Sequence, residues 1–338
     1  MARALRPASW ISGLFLLRYS LCGAGVDGTL ASAMLTRETM RGLYVLTITP
    51  FDSENGLDEA AYRENVQYLV SLGVDGIVTT GTNGEFHTTT DEERIRIARL
   101  LVEETRGTVS TVVGASGVNT AEAISRTRAA RDAGADAVMN VVPYYHVLSK
   151  DEACQYFEDL YSACPDIGII VYNNPQTTQV LLNDTDFIRI EQVPTICGSK
   201  MTGADLSLYL NCLRRTRIHH FPLEQLWAVS HMVGGNGLMA SFIYAFPQYM
   251  VRWWKSISSG NFAEALKRQH QVNALLQDLI GPLIVNEGYN EITVTKAVID
   301  AAGFLKAGPP RKPFRPLPPA RLERLRSDLQ AQYPEFLQ

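Results

Sequence analysis

From Gly42 onward, short β-branched or apolar runs alternate with longer amphipathic segments, and this rhythm restricts the fold more than any other feature of the chain. Strand-like runs fall at 43–48, 76–80, 109–114, 137–142, 168–172 and 195–200, with weaker ones near 217–221 and 232–236. Segments long enough for a crossover helix separate them, which is the pattern of βα units feeding a parallel sheet. Helix starts coincide with capping residues. Thr90-Asp91-Glu92-Glu93, Asn119-Thr120-Ala121-Glu122 and Ser149-Lys150-Asp151-Glu152 each place a side-chain acceptor and acidic groups where free N–H donors need them.

An open, doubly wound sheet gives the same alternation. Two observations favour a closed barrel. No GxGxxG follows the first strand, and the polar residues capable of chemistry sit at the ends of several different strands, as a barrel site requires. After about Leu238 the rhythm becomes helical only, over 239–257, 261–280 and 293–302. A proline-rich joint at 308–319 then leads to a last helix over 319–332. The expected fold class is therefore α/β, a (β/α)8 TIM barrel over 40–238, with 239–338 a C-terminal helical region that completes and extends it.

Residues 1–39 are expected to form an N-terminal extension outside the fold. Basic residues precede an apolar run at 10–17, which Arg18 interrupts and which is too short to cross a bilayer. A weak signal peptide, an organellar transit peptide, or a translated upstream stretch with Met34 or Met40 as the working start all fit it.

The net charge of -4 supplies no general attraction for nucleic acid or an anionic membrane, so a small-molecule partner is expected. Five cysteines, Cys22, Cys154, Cys164, Cys197 and Cys212, are scattered without a CxxC pair, which fits a reducing, cytoplasmic setting. With no HExxH and no His/Cys cluster, no metal site is expected, and His219-His220 reads as ordinary strand or loop.

Three strand ends carry candidate chemistry. The second strand runs into Gly81-Thr82-Asn83-Gly84-Glu85, a tight turn whose backbone N–H groups can hold a carboxylate, although the bare pattern is also that of a plain βα turn. The fifth ends in Tyr172-Asn173-Asn174-Pro175. A tyrosine at a barrel mouth can pass a proton to a substrate oxygen, though packing is the commoner use of such a residue. The sixth ends in Lys200. Burial disfavours an ammonium ion and leaves more of the free amine that carbinolamine formation requires, unless the side chain snorkels to solvent.

Gly81 to Glu85, the Tyr172-Asn-x-Pro turn and Lys200, in this order and spacing from about 43 to 303, resemble the dihydrodipicolinate synthase and N-acetylneuraminate lyase superfamily. The resemblance implies a class I carbon–carbon lyase with no cofactor, in which Lys200 forms an imine with the C2 carbonyl of pyruvate or of a pyruvyl-containing 2-oxo acid. Tyr172 would be the general acid/base, with Thr82 relaying protons. The backbone at Thr82, Asn83 and Gly84 would hold the carboxylate. Tyr145 matches a tyrosine that reaches into a neighbouring subunit's site in this superfamily, which implies a homotetramer made of two tight dimers.

Departures from the pattern narrow the substrate. Lysine-pathway synthases carry an arginine two residues beyond the YNxP proline, where this chain has Thr177. The segment from Lys296 through Asp300, Gly303 and Lys306 to Arg311 and Pro313 is similar to the hydratase-aldolases of aromatic catabolism. Residues 119–128, with Asp132, Gly134 and Ala135, resemble the same group. Tyr144-Tyr145 and Gly198-Ser199-Lys200-Met201 are closer to the superfamily at large, and Asn83 stands where those enzymes often have an aromatic residue. The leading expectation is a hydratase-aldolase of the trans-o-hydroxybenzylidenepyruvate or carboxybenzalpyruvate type, cleaving an aryl-substituted 2-oxobut-3-enoate to pyruvate and an aromatic aldehyde. Alternatives are a 2-keto-3-deoxy sugar acid aldolase or dehydratase, a dihydrodipicolinate-synthase-like enzyme, and a non-catalytic barrel that binds a keto acid. His231, Trp227 and Asn236 are candidates for the distal lining, although Trp in such places more often packs.

Overall fold

The computed structural model describes residues 34–338. Eight parallel strands form one sheet: β1 (Gly42–Leu46), β2 (Gly76–Thr79), β3 (Ser110–Gly114), β4 (Ala137–Asn140), β5 (Gly168–Asn173), β6 (Ile196–Met201), β7 (His219–Pro222) and β8 (Gly237–Ala240). The hydrogen-bonded order runs β7-β6-β5-β4-β3-β2-β1-β8, and contact between β7 and β8 brings the sheet round into a (β/α)8 barrel. Alternate residues face inward. Tyr44, Leu46, Val78, Met139, Ile170, Cys197 and Phe221 fill the interior, while Val45, Ile77, Val113, Val138 and Ile169 pack outward against the helices.

The helices begin where their caps predict. Thr90 with Glu93 and Ser149 with Glu152 form reciprocal capping boxes, and Asn119 accepts from the Glu122 N–H. The outer shell contains fully buried aromatic side chains such as Phe157, and Trp227 lies against Trp253 with ring centroids 4.8 Å apart. Truncating one of these to alanine costs about 3–5 kcal/mol.

Two sequence expectations are displaced. The eighth strand lies at Gly237–Ala240 and not at 232–236, because Met232 ends the Trp227–Met232 helix and Gly234, with φ +105°, turns the chain. Gly237 can enter the barrel there because it lacks a Cβ, which would stand 2.5 Å from a Phe221 ring carbon and 2.9 Å from the Gly42 carbonyl oxygen. Met239 and Ala240 are consequently strand residues, and the helix expected from 239 is Pro247–Ser258. A boundary at 238 would cut β8 in two.

The second displacement concerns the N-terminal extension. Its first 33 residues lie outside the described residues, but its end belongs to the barrel. Leu35 is buried and donates its N–H to the Asp136 carbonyl at 3.0 Å. Arg37 donates to the carbonyls of Ile196 at 3.0 Å and Val193 at 3.1 Å, satisfying acceptors at the N-terminal end of β6.

Beyond β8 the helix Phe262–Ala274 runs on as a π-helical turn, Leu275–Ile280, and Glu291–Ala302 and Pro319–Gln332 follow. No helix among the described residues is long and apolar enough to cross a membrane.

Candidate active site

The register of β5 and β6 pairs Tyr172 with Lys200, so two strands deliver both side chains to one end of the barrel. Lys200 Nζ donates to the Tyr172 hydroxyl at 3.3 Å and sits 4.4 Å from the centroid of its ring. On the other side, Thr82 Oγ1 lies 3.5 Å from the same hydroxyl. Amine, phenol and threonine hydroxyl thus form a short chain, with both Lys200 and Tyr172 buried. They line a cavity of about 320 Å³ together with Asn83 and Gly84.

The turn that presents Thr82 is held from several directions. Thr80 and Glu85 adopt left-handed conformations, φ 50° and 53°, which non-glycine residues take only at a cost. Thr80 Oγ1 donates to the Gly114 carbonyl at 3.0 Å, and Thr49 Oγ1 donates to that of Gly84 at 2.7 Å. Gly84 must be glycine-sized, since an added Cβ would meet the Thr80 nitrogen at 3.0 Å. Asn83 Nδ2 donates to the Tyr244 hydroxyl at 2.8 Å. No protein group among the described residues accepts from the backbone N–H of Thr82 or Asn83, which leaves these donors for an anion.

Other parts of the cavity lining have a different origin. Glu291, Val294, Thr295 and Val298 come from one face of the Glu291–Ala302 helix, at a spacing of three and four residues. Leu276 and Ile280 come from the π-helical turn, a geometry often found at functional sites. Glu224, two residues past β7, also lines the cavity. It is buried, and Oε1 accepts from the Ser241 N–H at 2.5 Å. Burial pushes its carboxyl above the usual carboxylate range, with the backbone donors and Lys200 acting in the opposite direction. Glu224 is not legible as a site residue in the sequence. Its one signal, an acid just beyond a weak strand, does not stand out from an ordinary loop. Thr177 lines the cavity too, and among the described lining residues Lys200 is the only lysine or arginine.

Other expected residues lie elsewhere. Tyr145 is 78% exposed, rests against the His146 ring and does not reach this cavity. Trp227 is buried and donates Nε1 to the Pro222 carbonyl at 3.3 Å. His231 packs near Trp254, and Asn236 contacts His219. None of these three lines the cavity: Trp227 and His231 pack against neighbouring rings, and Asn236 is exposed. His220 is enclosed between Ser199 Oγ and Thr216 Oγ1, and burial pulls its imidazole down to about 3. No cluster suited to a metal ion occurs among the described residues, and the four cysteines described are free and buried.

The chain is a (β/α)8 barrel with a buried lysine and tyrosine paired at the ends of adjacent strands. Residues 39–332 match the dihydrodipicolinate synthetase family, and the chain belongs to that family. Enzymes of the family work through a Schiff base between a lysine and pyruvate and take no cofactor. The chain is 30% identical over 281 residues to the 4-hydroxy-tetrahydrodipicolinate synthase of Methanothermobacter thermautotrophicus, covering 80% of this chain and 98% of that protein. A solved dihydrodipicolinate synthase superposes with a TM-score of 0.78 at 25% identity, over 86% of this chain and 99% of the other. PhdJ bound to a substrate intermediate gives 0.81 at 22% identity, over 90% and 99%, and so shares the fold.

Proposed function

We propose that the protein is a class I aldolase in which Lys200 forms an imine with the C2 carbonyl of pyruvate, or of a 2-oxo acid containing a pyruvyl unit. The observation that carries this reading is the Tyr172 hydroxyl lying 3.3 Å from Lys200 Nζ and 3.5 Å from Thr82 Oγ1 at the floor of the cavity. The amine adds to C2, and the resulting carbinolamine loses water as Tyr172 supplies a proton to the departing oxygen. That proton leaves in the water, and Thr82 relays a replacement from solvent to the Tyr172 phenolate along the chain of hydroxyls. The iminium then draws electrons from C3, so loss of a C3 proton gives an enamine that adds to an aldehyde carbon. In reverse, the same electron sink allows the C3–C4 bond to break. The free N–H groups at Thr82 and Asn83, beside Gly84, hold the keto-acid carboxylate.

The curated relatives are synthases and favour the synthase-like alternative of the sequence analysis over a hydratase-aldolase. The charge of the lining speaks against a second substrate with its own carboxylate. Thr177 replaces the expected arginine, Glu224 supplies a carboxyl, and among the described lining residues the only lysine or arginine is Lys200. The lining thus supports an uncharged aldehyde, hydroxylated or aromatic, as partner, in place of the carboxylate-bearing aldehyde of a lysine-pathway synthase. Tyr145 acts only if a second copy carries it into the site, which we propose happens in a homotetramer located in the cytoplasm.

The test is a substrate panel. Pyruvate is supplied with a carboxylate-bearing, a polyhydroxylated or an aromatic aldehyde, and pyruvate release is followed from the matching aldol products and aryl-oxobutenoates. Uncharged partners should exceed the carboxylate-bearing one in kcat/KM by on the order of tenfold or more. The opposite order would restore the lysine-pathway reading, and no turnover with any would leave a binding protein.

A further inference from the structure

Two stretches that stand out in the sequence, the Gly81–Glu85 turn and the segment from Lys296 to Arg311, meet in one buried ionic clasp. Glu85 is fully buried, and its Oε1 lies 2.7 Å from Lys296 Nζ, itself 2% exposed. Lys296 spends its remaining donors on the carbonyls of Thr49 at 2.9 Å and Pro309 at 2.8 Å. The other carboxylate oxygen of Glu85 accepts from the Arg311 backbone N–H at 2.9 Å. The Arg311 guanidinium closes the arrangement from outside, reaching the Thr88 carbonyl at 3.1 Å and Glu93 at 2.5 Å. Both cations sit 4.5 Å from the centre of the Phe51 ring.

A buried ion pair is a poor source of stability, because desolvation offsets most of the attraction and an apolar pair of similar size often serves as well. Burial indeed draws the Lys296 ammonium down to about 8 against the pull of Glu85. What the clasp supplies is position. Glu85 is the left-handed end of the turn that carries Thr82 and Asn83, while Lys296 is on the helix whose Val294, Thr295 and Val298 line the cavity. Thr49, which receives Lys296 on its carbonyl, holds the Gly84 carbonyl with its hydroxyl.

We infer that Glu85 and Lys296 are positioning residues for substrate, setting the Thr82–Asn83 backbone at the height of the keto-acid carboxylate and fixing the C-terminal helix wall against it. The inference rests on the reading that pyruvate occupies that end of the cavity.

Lys296→Met, Glu85→Gln and the double variant separate position from stability. Each single change leaves a buried charge or carboxamide without its partner and lowers Tm, whereas the neutral pair recovers much of that loss. Pyruvate KM should nevertheless stay raised in the double variant by on the order of tenfold, with kcat at saturating pyruvate little changed, because the cradle is displaced and the reacting groups are not. Arg311→Gln, which loosens the clasp from its solvent side, should raise KM less and in the same direction. Wild-type pyruvate KM in both the double and the Arg311 variant overturns the inference. Borohydride trapping of pyruvate by the wild-type protein keeps the two claims apart. Label on Lys200 with unchanged KM values sinks the clasp alone, and absence of label sinks the pyruvate reading and the clasp's substrate role with it.

Discussion

The two ends of the cavity are built from different material. The keto-acid end consists of β2, β5 and β6 termini, where hydrogen bonding on both sides fixes each backbone and register brings Lys200 beside Tyr172. The rest of the lining is assembled from the segment after β7, the turn after β8 and the C-terminal helices, which contribute Glu224, Tyr244, Leu276, Ile280 and Thr295. Bond-making chemistry tolerates little displacement, and on the proposed function it sits on the rigid sheet. On the same proposal, discrimination between aldehydes is left to attached elements that can change without disturbing the imine.

That division has consequences that mutation can break. Lys200→Ala should reduce turnover to background with every substrate, since no other amine lines the cavity among the described residues. Residual activity comparable to wild type would show that the two ends do not divide the work as described. Tyr172→Phe should lower kcat by about 10² to 10⁴ while the fold and pyruvate binding persist, as expected for loss of a proton donor. Stopped-flow measurement of imine formation would check this, and a mutant affected only in aldehyde KM would place Tyr172 at the wrong end.

The distal end should respond selectively. Thr177→Arg supplies the cation it lacks and should improve kcat/KM for a carboxylate-bearing aldehyde by about tenfold to a hundredfold, the range of a charge-assisted hydrogen bond. Pyruvate trapping should be unaffected. An equal change in both would join the two ends into one unit.

The smallest effect concerns the wall behind the lysine. His220 holds Ser199, the neighbour of Lys200, and stays neutral in the fold down to about pH 3 against an ordinary value of 6.5. Between those limits the unfolded chain binds more protons, so stability falls as pH drops below about 6.5 and the loss stops growing below about 3. His220→Gln should weaken this dependence by up to about one proton in denaturant titrations across the window. An unchanged slope would assign the acid sensitivity to other groups.

The same division explains what the sequence made legible. That Lys200, Tyr172 and Thr82 come together was legible because strand ends recur in a fixed order and a barrel sends them all to one face. Seven strands were placed within a few residues for the same reason. The eighth was not, because Met232 and Val233 carry an apolar signal that belongs to a helix end, while the strand begins at an inconspicuous glycine. Leu35 and Arg37 gave no periodic signal at all, and their place in the barrel depends on carbonyls far along the chain. Glu224 and the Glu291 to Val298 stripe were illegible as site residues for a related cause. Their role depends on how the helices dock, and no local spacing encodes that. Lys296 and Arg311 stood out only as a pattern until the structure joined them to Glu85.

The central claim is that the keto-acid end forms an imine on one lysine. Incubation with pyruvate and borohydride, followed by peptide mass mapping, tests it most directly. A reduced pyruvate adduct confined to the peptide containing Lys200, and lost in Lys200→Ala, is the expected result. No adduct, or one on Lys296 or a surface lysine with Lys200 unmodified, would contradict it.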